Sequence, residues 1–191
     1  MLNFDPITHI YTLDGVRIPS VTQVLQAAGL IDFGGIRDSV LEEAAKRGTR
    51  AHEAIEEWSK GHDVPDAWMF SEIEAWDAFC HDMKFESLTQ EYQGADEILK
   101  VGFTIDQIGT IHGKTVIVDI KTGVKKISDI IQVCAYGLLH PVDRIFIAYL
   151  HGKRYKAVEI KGYDRNKGEN IFKSALSLYH YRKREGLLCQ Q

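Results

Sequence analysis

The stretch G-F-T-I-D-Q-I-G-T-I-H-G-K-T-V-I-V-D-I-K-T-G, Gly102 to Gly123, decides the fold. Two largely apolar runs flank H-G-K at His112 to Lys114, so the runs read as the arms of a β-hairpin and H-G-K as its turn. Each arm carries an aspartate, Asp106 and Asp119, although aspartate is a poor strand former. Residues two apart in a strand share a face, so Asp119 and Lys121 stand on one side of the sheet, and the hairpin brings Asp106 near Asp119. Two carboxylates converging on one point repel, and each tends to take up a proton unless a cation neutralises it. A hard divalent ion such as Mg2+ does this well, because it takes oxygen ligands and keeps several waters. It can polarise a phosphodiester and lower the pKa of a bound water. Lys121 could then position the water, help deprotonate it, or neutralise charge building on phosphorus.

Outward from this hairpin the chain reads as one mixed α/β domain over residues 1–191. Upstream, His9 to Leu13, the turn Asp14-Gly15 and Val16 to Ile18 form a short hairpin. Ser20 caps a helix over V-T-Q-V-L-Q-A-A that Gly29 closes. A Gly34-Gly35 loop precedes a helix from Ile36 to Lys60, interrupted once at Gly48, and a second helix spans Ala67 to Met83. Strands are expected over Leu88 to Tyr92, Ile98 to Gln107 and Thr115 to Ile120. Downstream come a helix over Asp129 to Leu139, strands Arg144 to Leu150 and Tyr155 to Ile160, and a helix from Lys167 to Arg184.

Composition narrows the class. The 191 residues are 45% hydrophobic, enough for a substantial core. No apolar run approaches the roughly 20 residues that span a bilayer, and M-L-N-F-D-P lacks a secretory signal pattern. Cys80, Cys134 and Cys189 have no metal-site spacing and read as free thiols, so the expectation is a cytoplasmic protein without a membrane partner. The net charge of −4 is unevenly spread: residues 1–150 carry −10 and residues 151–191 carry +6. A basic segment after an acidic body is suited either to a solvated helix or to a phosphate backbone.

Two further constellations lie outside the hairpin. In R-G-T-R-A-H-E-A-I-E-E-W, Arg47 to Trp58, Gly48 costs about 1 kcal/mol relative to Ala within a helix. A close approach of this helix to another backbone would account for it. His52, four residues on, faces inward, where a neutral imidazole can ligate metal or simply hydrogen-bond in the core. In I-I-Q-V-C-A-Y, Gln132 and Tyr136 are neighbours on one helical face.

Taken in order, G-x-x-x-H, the acid Glu91 in Q-E-Y, G-x-x-x-D, D-x-K-T-G and Q-x-x-x-Y resemble the RecB-like branch of the PD-(D/E)XK nuclease superfamily. R-G-T-R-A-H-E-A-I-E is similar to the N-terminal motif of its mitochondrial genome maintenance exonuclease-like members, and S-V-T-Q-V-L to the lead-in of its phage exonucleases. The resemblance covers roughly residues 18 to 140. It implies a restriction-endonuclease-like core, a central mixed β-sheet flanked by helices, and a metal-dependent DNA exonuclease acting on single-stranded ends. The implied ligands of Mg2+ or Mn2+ are His52, Asp106, Asp119 and the Ile120 carbonyl, with Glu91 as a further acid. Lys121 is the implied catalytic lysine, organised with Gln132 and Tyr136. Relatives with an iron–sulfur cluster use four cysteines, a set these three scattered ones do not supply, so no such cluster is expected. No G-x-x-x-x-G-K-[ST] loop is present. Lys125, Lys126, Lys167, Lys173, Arg182 and Lys183 are then candidate DNA contacts, and a recombination or replication protein a candidate partner. The alternatives are a junction or flap endonuclease, or a DNA-binding module that has lost catalysis. The implied setting is a phage-infected or bacterial cytoplasm.

Overall fold

The computed structural model describes residues 1–6, 8–31, 37–62, 64 and 70–188. The expected Gly34-Gly35 loop, the helix starts at Ile36 and Ala67, and Cys189 lie outside these residues. The N-terminal segment forms a three-stranded antiparallel sheet of β1 (Leu2–Asp5), β2 (Ile10–Leu13) and β3 (Val16–Ile18). Then follow α1 (Val21–Ala27), α2 (Asp38–Ser59) and α3 (Phe70–Met83). The central sheet holds β4 (Phe85–Asp96), β5 (Val101–Ile111), β6 (Lys114–Lys121), β7 (Arg144–His151) and β8 (Arg154–Ile160) in that order. Helix α4 (Ile127–Leu139) crosses from β6 to β7, the parallel pair, and α5 (Gly162–Arg184) ends the chain. The remaining neighbours in the sheet are antiparallel. The expected mixed α/β class with a helix-flanked central sheet is the one observed.

Alternation along the central strands sorts side chains into two cores. Ile117 on β6 and Ile145, Ile147 and Tyr149 on β7 pack with α1, α4 and α5. Val116, Val118 and Ile120, with Phe146, Ala148 and Leu150, pack with α2 and α3. Strands buried on both faces read as unbroken apolar runs, which is why T-V-I-V-D-I-K and R-I-F-I-A-Y-L stand out in sequence. Aromatic packing ties α3 to the second core: Trp76 stacks on Phe79 at 5.0 Å, and Phe79 meets Tyr155 edge-on at 5.5 Å. Cys134 lies in the first core and Cys80 packs against the second.

Several boundaries differ from the sequence reading. Strand β1 was not expected; it pairs with β2, whose partners run from Leu2↔Leu13 to Asp5↔Ile10. Ile98 does not begin a strand. The Asp96 carboxylate accepts the backbone N–H of Ile98 and of Leu99, closing an Asx-type turn in which Ile98 is exposed. Helix α4 starts two residues before Asp129 and α5 starts at Gly162 rather than Lys167. Ser20 caps α1 as expected, in a reciprocal box: its hydroxyl accepts the Gln23 N–H at 3.2 Å and Gln23 Oε1 accepts its N–H at 3.0 Å.

The two sheets join at Gly102. A Cβ there would stand 2.3 Å from the Tyr11 ring, so only glycine lets Tyr11 lie flat on β5. The Gly102 N–H also donates to the Pro19 carbonyl at 2.8 Å. Gly48 is different: among the described residues a Cβ there would meet no atom within 4 Å, so the expected close approach of α2 to a backbone is not seen among them. Most of α2 before Ala51 is exposed, and its packing begins with Ala51, Ala54 and Ile55. With open space and no positive φ at Gly48, Gly48→Ala should raise stability by about 0.5–1 kcal/mol. A urea melt should show a higher midpoint at unchanged slope; a lower midpoint would mean that α2 needs the glycine for its fold.

Candidate metal and phosphodiester site

The site forms where β5 and β6 separate. Their paired register runs from Ile111↔Lys114 to Gln107↔Val118 and stops there. Beyond it, Asp106 Oδ2 accepts the Ile120 N–H at 2.6 Å, so a side chain stands in for a strand carbonyl. Alternation slips at the same place. Ile105 packs in the α4 core and Ile111, six residues on, in the α2–α3 core, whereas a regular strand would keep both on one face. On β4, Gln90 pairs with Gln107 and Tyr92 with Ile105, and Glu91 between them has φ of +46°. A left-handed backbone costs a residue with a side chain roughly 1–2 kcal/mol. Such strain persists where the surroundings over-determine it, commonly at functional sites.

This splay lets groups from both layers meet. From α2, His52 Nδ1 lies 3.4 Å from Glu91 Oε1 and 3.6 Å from Asp106 Oδ1. His52 Nε2 lies 3.2 Å from the Ile120 carbonyl oxygen. One ligand atom from each of His52, Glu91 and Asp106 falls within 4.8 Å of the others. On the α4 side, Asp119 and Lys121 share a face as expected, and Lys121 Nζ stands 2.8 Å and 3.1 Å from the two Asp119 carboxylate oxygens. Only the longer of these contacts has hydrogen-bond geometry, so the fully buried Asp119 Oδ2 takes no hydrogen bond. Asp119 is 1% exposed, Lys121 25% and Glu91 34%: the site has a buried floor and an open mouth on the Glu91 side.

The charges follow from these contacts. Burial favours neutral His52, but Asp106 and the bonded Glu91 outweigh it and raise its pKa to about 9. Burial, with Asp106 behind it, raises the Asp119 pKa against the pull of Lys121. Burial opposes the Lys121 ammonium as well, yet Asp119 and Asp106 hold it charged and lift its pKa above the usual lysine value. With the acids ionised, Lys121 is held as an ammonium. Tyr136 stays a neutral phenol, because burial and then the charges of Asp119 and Asp106 push its pKa up. Gln132 Nε2 donates to Tyr136 Oη at 2.9 Å and to Thr22 Oγ1 at 3.2 Å, joining α4 to α1 beside the acids.

The donor set could hold a divalent cation: one imidazole, two carboxylates and a carbonyl at a partly open position. The structure brings together His52, Glu91, Asp106 and the Ile120 carbonyl. Asp119 sits beside them with its carboxylate turned to Lys121, outside the group of three. Glu91, the most loosely attached residue in the sequence reading, is central because its positive φ aims it at His52. The α5 cations are elsewhere. Arg182 donates to the Ala27 carbonyl, Lys183 to the Arg17 carbonyl at 3.2 Å, Lys167 lines a groove between α1 and α5, and Lys173 is exposed. Among the described residues none of these four bonds a site residue. Lys125 and Lys126 are exposed on the loop after Lys121.

Further residues around the site were not singled out for it in sequence. Tyr11 Oη bonds Thr104 Oγ1, and Tyr11 feels the Glu91 charge. Arg47 donates to the Thr122 carbonyl. Tyr149, paired in register with Lys121, donates to Asp129 Oδ2 at 3.0 Å. The spacing Gly102-x-Thr104-x-Asp106 carried a signal for Tyr11, since a strand glycine marks a close neighbour; nothing local pointed to Arg47.

Comparison with known proteins leaves the family open. No family model matches the chain, and no curated protein matches it. Among solved structures, one described as "Crystal structure of SSO0001" is similar at a TM-score of 0.38 and 19% identity, covering 68% of this chain and 70% of that one. A likeness at that level fixes neither family nor activity.

His52 holds its proton more tightly folded than unfolded. Its contribution to stability is therefore complete below the ordinary value of 6.5 and is lost as pH rises through about 9. Urea midpoints of metal-free protein, taken at half-unit pH steps, should fall across this window, and His52→Gln should remove that share of the fall. An unchanged slope in the variant would place the proton elsewhere.

Proposed function

We propose that this chain is a divalent-metal-dependent nuclease that hydrolyses DNA phosphodiester bonds, with single-stranded ends as its substrate. The observation that carries this reading is the convergence of His52, Glu91 and Asp106 beside a buried Asp119–Lys121 pair, where the ladder between β5 and β6 ends. Three carboxylates on one imidazole and one ammonium leave a negative site, favourable to a cation but not to a bare phosphate. His52, Glu91, Asp106 and the Ile120 carbonyl would hold Mg2+ or Mn2+, with Asp119 available if its carboxylate turns from Lys121. When bound, the ion polarises the phosphodiester and lowers the pKa of water.

The protein's own groups divide the remaining work. Lys121, held charged by Asp119, meets the negative charge that grows on the phosphoryl oxygens, where a preorganised cation in a partly dry site acts most strongly. Asp106 orients the site by accepting the Ile120 N–H, which sets the direction of the Ile120 carbonyl. Gln132 and Tyr136 present a neutral hydrogen-bonding edge that excludes water from the Asp119 side without adding charge. A DNA strand approaches over the exposed Lys125 and Lys126. The resemblance to RecB-like nucleases supplies the choice of DNA ends, and the same resemblance supports a cytoplasmic setting. No helix among the described residues is long and apolar enough to cross a membrane.

The test uses purified protein with end-labelled linear and with circular single-stranded DNA, in Mn2+, Mg2+ or EDTA. Linear DNA should be degraded, circles spared, and EDTA should abolish the reaction. Cutting of circles would instead indicate an endonuclease, and activity surviving EDTA would overturn the metal reading. Lys121→Gln keeps a donor for Asp119 but removes the paired charge, so its fold is checked first by circular dichroism against the wild type. This variant should bind Mn2+ like the wild type by calorimetry while kcat falls about 10²–10³-fold. Asp106→Asn should weaken Mn2+ binding itself.

A further inference from the structure

The loop between β6 and α4 carries side chains the site does not use. Val124 is 82% exposed and Ile127 80%, and they flank Lys125 and Lys126. Single exposed aliphatics are ordinary on protein surfaces. Here two stand within four residues, Val124 on a loop held at both ends and Ile127 at the first position of α4. Arg47 of α2 donates to the Thr122 carbonyl. At the other end the Lys126 N–H donates to Asp129 Oδ2 at 2.8 Å, and that carboxylate is itself buried and held by Tyr149. The loop is therefore a preorganised edge that keeps apolar atoms in water.

Its position says what would cover it. Val124 is three residues from Lys121, so its Cα lies within roughly 11 Å of the Lys121 Cα. Nucleotides in a stacked strand rise about 3.4 Å each, which puts Val124 within about three nucleotides of a phosphate at Lys121. Lysines next to apolar groups match a strand that offers phosphates and base faces together. A paired duplex hides those base faces; an unpaired strand exposes them.

Resting on the nuclease reading above, we propose that Val124 and Ile127 pack against the faces of unpaired bases next to the scissile phosphate, so that this loop selects single-stranded DNA by its bases while Lys125 engages its backbone. The occupant is a single nucleic-acid strand rather than a protein.

The experiment compares full-length wild type with Val124→Ser/Ile127→Ser by fluorescence anisotropy in Ca2+, which offsets the negative site, with the strands checked on a gel to be intact. One labelled single-stranded oligonucleotide is normal, and another of equal length is abasic at the nucleotides bordering the scissile phosphate. The double variant should bind the normal strand about tenfold more weakly and the abasic one like wild type. Lys125→Gln should weaken both equally and reduce the salt dependence by about one phosphate contact. Equal weakening on both strands by the double variant, or none on either, would overturn the base-packing assignment, the latter leaving the patch to a protein partner. Both changes are on exposed side chains, and a wild-type urea midpoint confirms the fold. Wild-type cleavage in Mn2+, run alongside, separates the readings: cleavage with no base-dependent difference sinks only the loop assignment, whereas absence of cleavage and binding sinks the nuclease itself.

Discussion

The hydrogen bond from the Ile120 N–H to Asp106 Oδ2 is the constraint on which the site depends. It falls where the ladder between β5 and β6 ends, so a carboxylate satisfies a backbone donor that the sheet leaves unpaired. A buried amide without a partner costs about 1–3 kcal/mol, and the carboxylate prevents that loss while being held in one orientation. The same bond leaves Asp106 Oδ1 facing His52 and sets the Ile120 carbonyl toward the other ring nitrogen. One interaction thereby closes the sheet and aims two of the proposed ligand groups at a third, His52.

Around this point the molecule concentrates charge it would elsewhere avoid. Asp119 is almost wholly buried, and an unpaired buried carboxylate would simply take up a proton. Lys121 is placed two residues on, on the same face, and holds it as an ion pair. Breaking such a buried pair by removing one partner commonly costs about 3–5 kcal/mol. Stability and proposed chemistry therefore use the same contact, which raises the Lys121 pKa through the charges of Asp119 and Asp106. The left-handed backbone of Glu91 is a second local cost, matched by the contact it gives to His52.

The surface near the mouth differs in kind from the floor. Asp119 and Asp106 are buried, whereas Val124 and Lys125 on the loop and Ile127 at the start of α4 stand in water. Rigid loops on a packed scaffold are where recognition usually lies. The basic end of α5, by contrast, spends Arg182 and Lys183 on carbonyls of the N-terminal segment, tying the last helix to α1 and β3. Its charge has a structural use.

By itself, the sequence determined the features that depend on neighbours along the chain. Strand alternation put Asp119 and Lys121 on one face; helical spacing paired Gln132 with Tyr136; Ser20 marked the N-cap of α1; two apolar runs around H-G-K formed the hairpin that brings in Asp106. Only the tertiary structure decided the rest. Residue type does not encode a positive φ at a glutamate, so the slip that swings Glu91 to His52 was invisible, as was the open space at Gly48. Arg47 and Tyr11 reach the site across 75 and 93 residues of chain, to Thr122 and Thr104. Local propensity is set by a residue and its turn of helix or pair of strands; which carboxylate meets the histidine and which meets the lysine is set by the packing of layers far apart in sequence.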